Sequence, residues 1–240
     1  MNDTHADVTE IADGIYRIST FVPEVTPTGF TFNQFLLAAE EPLLFHAGHR
    51  AMFPLIAEAV ATVLPVESVR WISFGHVEAD ECGATNMWLN AAPVSEVAFG
   101  ALGCQISLAD LCDRAPRPLA EGEVLDLGGK RVRQISTPHV PHGWEAQVMF
   151  EETTGTLLCG DLLTHAGRPP AVTTDDVVGP ALEAEAMFHA MSGAPHTADV
   201  IRSLGDLRPT TLALMHGSSY RGDGRRVLYD LAAGIEAAAA

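Results

Sequence analysis

The chain predicts an α/β or α+β fold in which two sheets pack together and are flanked by helices. Strand-like and helix-like runs come in two comparable series, roughly residues 1–120 and 121–240, as expected if each half builds one sheet and the helices that cover it. At 240 residues the chain is long for one small core and short for two separate ones, and no linker, charge run or low-complexity stretch interrupts it before the alanines at 237–240. One domain over 1–240 is therefore expected. Several apolar runs also end abruptly in glycine and ligand-type side chains, most densely within residues 71–83. Loops at strand ends, held by a rigid sheet, are where binding groups are placed, because a strand interior cannot satisfy several charges at once.

Taken in order, residues 14–22 and 31–37 alternate apolar and polar side chains around the Pro- and Gly-bearing turn 23–29, which predicts an opening hairpin. Residues 42–48 read as a short strand ending in a turn, and 52–63 carry apolar residues at helical spacing until Pro65 stops them. The apolar run 69–74 reads as a core strand that Gly75 turns outward. A helix at 84–90, a strand at 94–99 and a short helix at 104–112 follow. Residues 123–137 read as two strands around Gly128-Gly129, leading into a ligand-rich loop at 138–145. Strands at 146–150 and 156–162 flank a turn near Gly155. Helices at 181–192 and 198–204 precede a last strand at 211–215. An alanine-rich helix at 224–240 closes the chain, opened by the turn Gly222-Asp-Gly224.

Composition narrows the function classes. With 47% hydrophobic and 19% charged residues the chain is globular, and no apolar run approaches the roughly 20 residues that span a bilayer. A net charge of -17 would repel nucleic acid and anionic membrane, so neither is an expected partner. Residues 1–7 lack the basic and apolar regions of a signal peptide, so the cytoplasm is the expected location. Cys82, Cys104, Cys112 and Cys159 show neither C-x-x-C spacing nor disulfide-scaffold density, which suits reduced thiols.

Within six positions the loop after the core strand offers His76, Glu78, Asp80 and Glu81. A metal site is the first reading, and a solvated acidic loop with one histidine is the alternative. Other strand ends carry His142 with Asp161, and His216, and each group has glycine nearby to turn the backbone tightly. Three imidazoles with three or four carboxylates are harder and richer in oxygen than the His/Cys shells that favour zinc, and such sets suit iron or manganese. Without metal the carboxylates would repel one another, whereas two divalent ions offset about four negative charges, so metal is expected to stabilise the fold. Ser218 and Ser219 follow His216 with no His/Asp order to make either a nucleophile. His46, His49 and His139 are read as surface groups or groups behind the ligands, with His46 at its strand end the one to watch.

The run His76-Val-Glu78-Ala-Asp80-Glu81 resembles the first motif of the metallo-β-lactamase superfamily, H-x-H-x-D-H, with glutamate at the second and last ligand positions. Glutamate at position 78 is more similar to the flavodiiron proteins and related oxygen-binding di-iron proteins, whose motif reads H-x-E-x-D-H. The likeness extends to Gly29-Phe-Thr-Phe-Asn-Gln-Phe-Leu36, to Leu125-Asp-Leu-Gly-Gly129, and to the segment 138–161, where His142-Gly-Trp-Glu145 is similar to the family's His-Trp-Pro-Asp. The spacing from His142 to Asp161 also looks like the family's, which favours His142 over His139 as a ligand.

The resemblance implies an α+β fold, an αββα metallo-β-lactamase-like sandwich of two mixed sheets flanked by helices, with two iron ions, manganese or zinc being the alternatives. It places His76, Glu78 and His142 on one metal, Asp80 and His216 on the other, and Asp161 between them. Glu81 stands where a histidine is expected and is carried as a ligand position that could instead hold a water or leave the place open. The implied function is a di-iron protein that binds or reduces dioxygen, nitric oxide or peroxide. Its expected partners are that small molecule and a separate electron-donor protein, because the chain leaves no room for the flavodoxin-like donor domain of flavodiiron proteins; a homo-oligomer is compatible. Whether it is an enzyme stays open. The rival is the superfamily's commonest chemistry, metal-dependent hydrolysis of an ester, thioester or amide.

Overall fold

The computed structural model describes residues 5–239; residues 1–4 of the predicted N-terminal segment and residue 240 of the predicted last helix lie outside the described residues. Strand β1 (Asp7–Ala12) pairs antiparallel with β2 (Ile15–Val22), which forms the predicted hairpin with β3 (Phe30–Leu37). All eight residues of β3 are buried, because both faces of this strand are covered. Strand β4 (Leu43–Phe45) pairs antiparallel with β3, and β5 (Trp71–Ser73), β6 (Glu96–Gly100) and β7 (Arg117–Leu119) then add in parallel, with helices Phe53–Ala61 and Thr85–Ala91 in the crossovers. The first sheet thus keeps chain order from β1 to β7.

The second sheet begins with β8 (Val124–Asp126) and β9 (Arg131–Ser136), joined at Gly128-Gly129, and continues with β10 (Gln147–Glu151), β11 (Thr156–Leu158), β12 (Val172–Thr173), β13 (Thr211–Ala213) and β14 (Ser219–Arg221). Its order is β12-β14-β13-β11-β10-β9-β8. Phe35, Leu37 and Phe45 of the first sheet meet Val132, Met149 and Leu158 of the second in one buried layer, where each large side chain contributes about 1.5–3 kcal/mol. On the outer faces, Ile56, Val60 and Trp88 cover the first sheet, and Ile201, Leu204, Leu228 and Leu231 cover the second. The result is an αββα sandwich of two mixed sheets.

The strand directions place the loops that matter. Strand β9 is antiparallel to β10, β10 to β11, and β11 parallel to β13, so β9, β11 and β13 run in one sense and end at one edge. The end of β5 meets them there. A Cβ on Gly75 would lie 3.3 Å from Gly160 Cα and 2.9 Å from a Glu81 oxygen, so only glycine lets the two turns close. Gln147 N donates to Gly75 O at 2.8 Å and Asn33 N to Met215 O at 2.9 Å, tying the two sheets together at this edge.

Four short strands, β1, β7, β12 and β14, exceed the sequence-based expectation. The strand expected at 156–162 stops at Leu158, so Asp161 sits in the turn beyond it. The helix expected at 181–192 runs over Val178–Phe188. It ends because His189 takes φ +51° while the Glu185 carboxylate accepts the N–H groups of Ala190 and Met191. The helix expected at 104–112 overlaps a helical stretch from 101 to 111 that includes a π turn, Cys104–Leu108. The last helix, Gly224–Ala239, opens with Asp223 Oδ1 accepting Arg226 N at 3.0 Å. Among the described residues no helix is long and apolar enough to cross a membrane.

Candidate metal centre

Past β5 the backbone bends through residues 75–77, is extended at Glu78 and then coils into the single turn Ala79–Cys82. Across that bend Glu78 N donates to His76 O at 3.1 Å, and His76 Nε2 lies 2.8 Å from Glu78 Oε2. Successive helical residues diverge by about 100°, which splits the next pair. Asp80 turns toward His216, whose Nε2 is 3.3 Å from Asp80 Oδ2, while Glu81 turns back under the strand and is fully buried.

His142 arrives on the loop between β9 and β10, with Nε2 2.9 Å from His76 Nε2 and 3.3 Å from Glu78 Oε2. Glu145 anchors that loop by accepting Val77 N at 2.9 Å. Asp161, beyond β11, stands between two groups of donors. Its Oδ2 lies 3.5 Å from His142 Nε2 and 3.8 Å from His76 Nε2, and its Oδ1 lies 3.3 Å from His216 Nε2. His76, Glu78, His142 and Asp161 each offer a ligand atom within 4.8 Å of the others. Asp80 and His216 adjoin them across Asp161.

These donors fit a metal ion. Atoms about 2.1 Å from a common ion at right angles lie about 3.0 Å apart, and the edges of the His76–Glu78–His142 triangle measure 2.8, 2.9 and 3.3 Å. The buried Asp161 Oδ1 makes no hydrogen bond, as suits an oxygen that faces an ion. Electrostatics agree. Burial opposes a charged His76, yet Glu81, Glu78 and Asp161 together raise its pKa to about 12; burial likewise opposes a charged His216, which Asp161 and Asp80 raise to about 10. Contact with His142 and His76 holds Glu78 far below the usual carboxylate range, and Glu78 raises His142. Without metal, then, protons supply the positive charge that these carboxylates demand.

Of the seven predicted ligand positions, the structure brings six together and sets Glu81 apart. One Glu81 oxygen accepts Gly75 N and His76 N, the latter at 2.7 Å, and the other faces His76 Nδ1 at 3.2 Å. The side chain therefore sits behind His76, where it orients the ring and presents Nε2 to the centre. His46 lies deeper still, its Nε2 3.6 Å from Glu81 and its Nδ1–H donated to Asn33 O; burial lowers its pKa. His49 packs edge-on against Phe32, and His139 is exposed. Cys82 is a protonated thiol, pushed to about 12 by burial and then by Glu81.

His216 is held by groups that no local pattern marked. Its ring lies 4.4 Å from that of Phe30 and 5.2 Å from that of Phe32, and its Nδ1–H donates to Thr31 O at 2.8 Å. The following turn is fixed by Arg17 and Asn33, which both donate to Gly217 O at 3.0 Å, and by His165, whose Nε2 accepts Ser218 N. A Cβ on Gly217, where φ is +98°, would strike His165 Nε2 at 2.2 Å. Arg17 carried one faint signal, a lone cation at an inward position of an alternating strand. Above the centre opens a cavity of about 500 Å³.

Known proteins agree with this architecture. A diflavin flavoprotein A 1 from Nostoc sp. strain PCC 7120 is 26% identical over 140 residues, which cover 56% of this chain and 23% of that protein. The structure of rubredoxin oxygen:oxidoreductase from Desulfovibrio gigas matches with a TM-score of 0.84 at 18% identity, covering 95% of this chain and 62% of that one. A metal-soaked Flv1 flavodiiron core from Synechocystis sp. PCC6803 matches with a TM-score of 0.81 at 17% identity, covering 97% and 61%. The chain thus spans less than two thirds of the length of each of these relatives, and at such identities the structures speak for the fold. A family model described as ODP family beta lactamase matches residues 30–217, a span that holds every group of the centre, and the chain belongs to that family.

Proposed function

We propose that this chain is a di-iron protein that binds or reduces dioxygen, or a related small oxidant such as nitric oxide or peroxide, with electrons from a separate donor protein. The observation that carries this reading is the triangle of two imidazoles and one carboxylate, His76, Glu78 and His142, joined through Asp161 to Asp80 and His216. Two histidines and a carboxylate on one face, with positions left open, suit ferrous iron in oxygen chemistry. The name of the Desulfovibrio gigas relative, an oxygen:oxidoreductase, supports the same choice. Bound iron would supply one electron per ion and open positions for the oxidant. His76 and His216 are pre-aimed by Glu81 and Thr31 O, so little reorganisation opposes loading. Phe30 and Phe32 pack against the His216 ring and help fix it.

Protein reduced without air and then exposed to oxygen should develop the near-ultraviolet absorption of a ferric pair and stay inactive on simple lactones and thioesters. Sustained oxygen consumption should need an added donor and not run on NADH alone. Glu78→His, which brings in a third nitrogen, should shift the preference toward zinc and lose the oxygen response. Efficient ester hydrolysis with zinc bound and no response to oxygen would replace this reading with the hydrolase one.

A further inference from the structure

A diatomic oxidant needs little room, whereas about 500 Å³ stands open over the centre, within the roughly 300–1,000 Å³ typical of sites for organic ligands. The wall is apolar, with Phe30, Leu163, Ala181, Ala184, Phe188 and Met191 facing the space. Apart from the centre itself, the polar residues lining it are Thr164 and Glu185, and both are engaged. Thr164 Oγ1 donates to Asp161 O at 2.7 Å, and Glu185 accepts the N–H groups of Ala190 and Met191. An occupant therefore finds polar contact at the end where Asp80, Asp161 and His216 lie and apolar contact elsewhere.

Charge and coordination specify the head group. Two ferric ions against Glu78, Asp80, Asp161 and the buried Glu81 leave a positive balance, which suits an anionic head. The half with Asp80 and His216 has fewer protein donors, and Phe30, stacked 4.4 Å from His216, continues that half into the cavity wall. We propose that the cavity binds an organic molecule with an apolar body and one anionic oxygen-donor head, the head at the Asp80–His216 half and the body against Phe30, Ala184, Phe188 and Met191. This inference rests on the di-iron reading of the centre. Ala181 and Ala184, one helical turn apart, keep the space open because neither carries more than a methyl group.

The test uses oxidised, iron-loaded protein titrated with acetohydroxamate and octanohydroxamate, whose shared head gives a visible band on ferric iron. Octanohydroxamate should bind at least about a hundredfold more tightly, since each buried methylene contributes about fourfold. Ala184→Leu should cut that advantage by about tenfold, and Phe188→Ala, a change at an exposed site, should cut it by several-fold; acetohydroxamate affinity and iron content serve as references in both. Equal binding of the two probes by the wild type, or an advantage untouched by both substitutions, overturns the inference alone. Binding of neither probe overturns it together with the di-iron reading.

Discussion

The two halves of the proposed di-iron centre are unequally furnished. One is built from His76, Glu78, His142 and an Asp161 oxygen, and the other from Asp80, His216 and the second Asp161 oxygen. The difference traces to position 81. In the motif this loop resembles, that position carries a histidine, whereas here Glu81 folds under the strand, accepts two backbone N–H groups and faces His76 Nδ1. One rotation about the helical turn thus takes a donor from the second half and adds a support to the first. A buried carboxylate with this many donors is costly to disturb, so the asymmetry belongs to the fold.

The hardest blow to both halves is Asp161→Ala. It should remove both metals or leave one loosely held, as metal content after gel filtration shows, and two ions retained in full would mean Asp161 does not join the halves. His216→Ala should separate them, with about one ion per chain remaining and the survivor in the better furnished half. Glu81→Gln keeps an acceptor for the backbone N–H groups but turns an amide N–H toward His76 Nδ1, favouring the tautomer with its proton on Nε2. Metal affinity should fall about 10- to 100-fold in chelator competition; unchanged affinity would reduce Glu81 to a packing group.

A smaller effect concerns pH. His76 and His216 have folded pKa values of about 12 and 10, above the ordinary histidine value. In metal-free protein the stability that they contribute is fully present below about pH 6.5 and is lost as pH rises through those values. Metal binding displaces the same protons and so tightens as pH rises. The thermal midpoints of metal-loaded and metal-free protein should therefore diverge between pH 7 and 9, and a constant gap would contradict this assignment of charge.

Much of this was legible in the sequence, and the gaps have physical causes. The two series of elements became the two sheets because long runs such as β2 and β3 carry their periodicity within themselves. β7, with Pro118 in its middle, and the two-residue β12 are strands only because a neighbour pairs with them. In the centre, ligand-type residues at glycine-marked strand ends stood out locally. The supports did not, since Arg17 meets Gly217 across 200 positions and His165 meets Ser218 across 53. Glu81 was legible as a departure from the motif, but its direction depends on the buried N–H groups of Gly75 and His76, which only the folded turn brings to it.

An iron pair held unevenly, as proposed, should yield to a chelator in two stages, which graded chelation of protein from iron-replete cells, purified without chelator, resolves. Elemental analysis should find two iron ions per chain at the start and a plateau near one as chelator is raised, with His216→Ala protein starting at that plateau. One zinc ion and negligible iron, or two irons leaving in a single step, would contradict it.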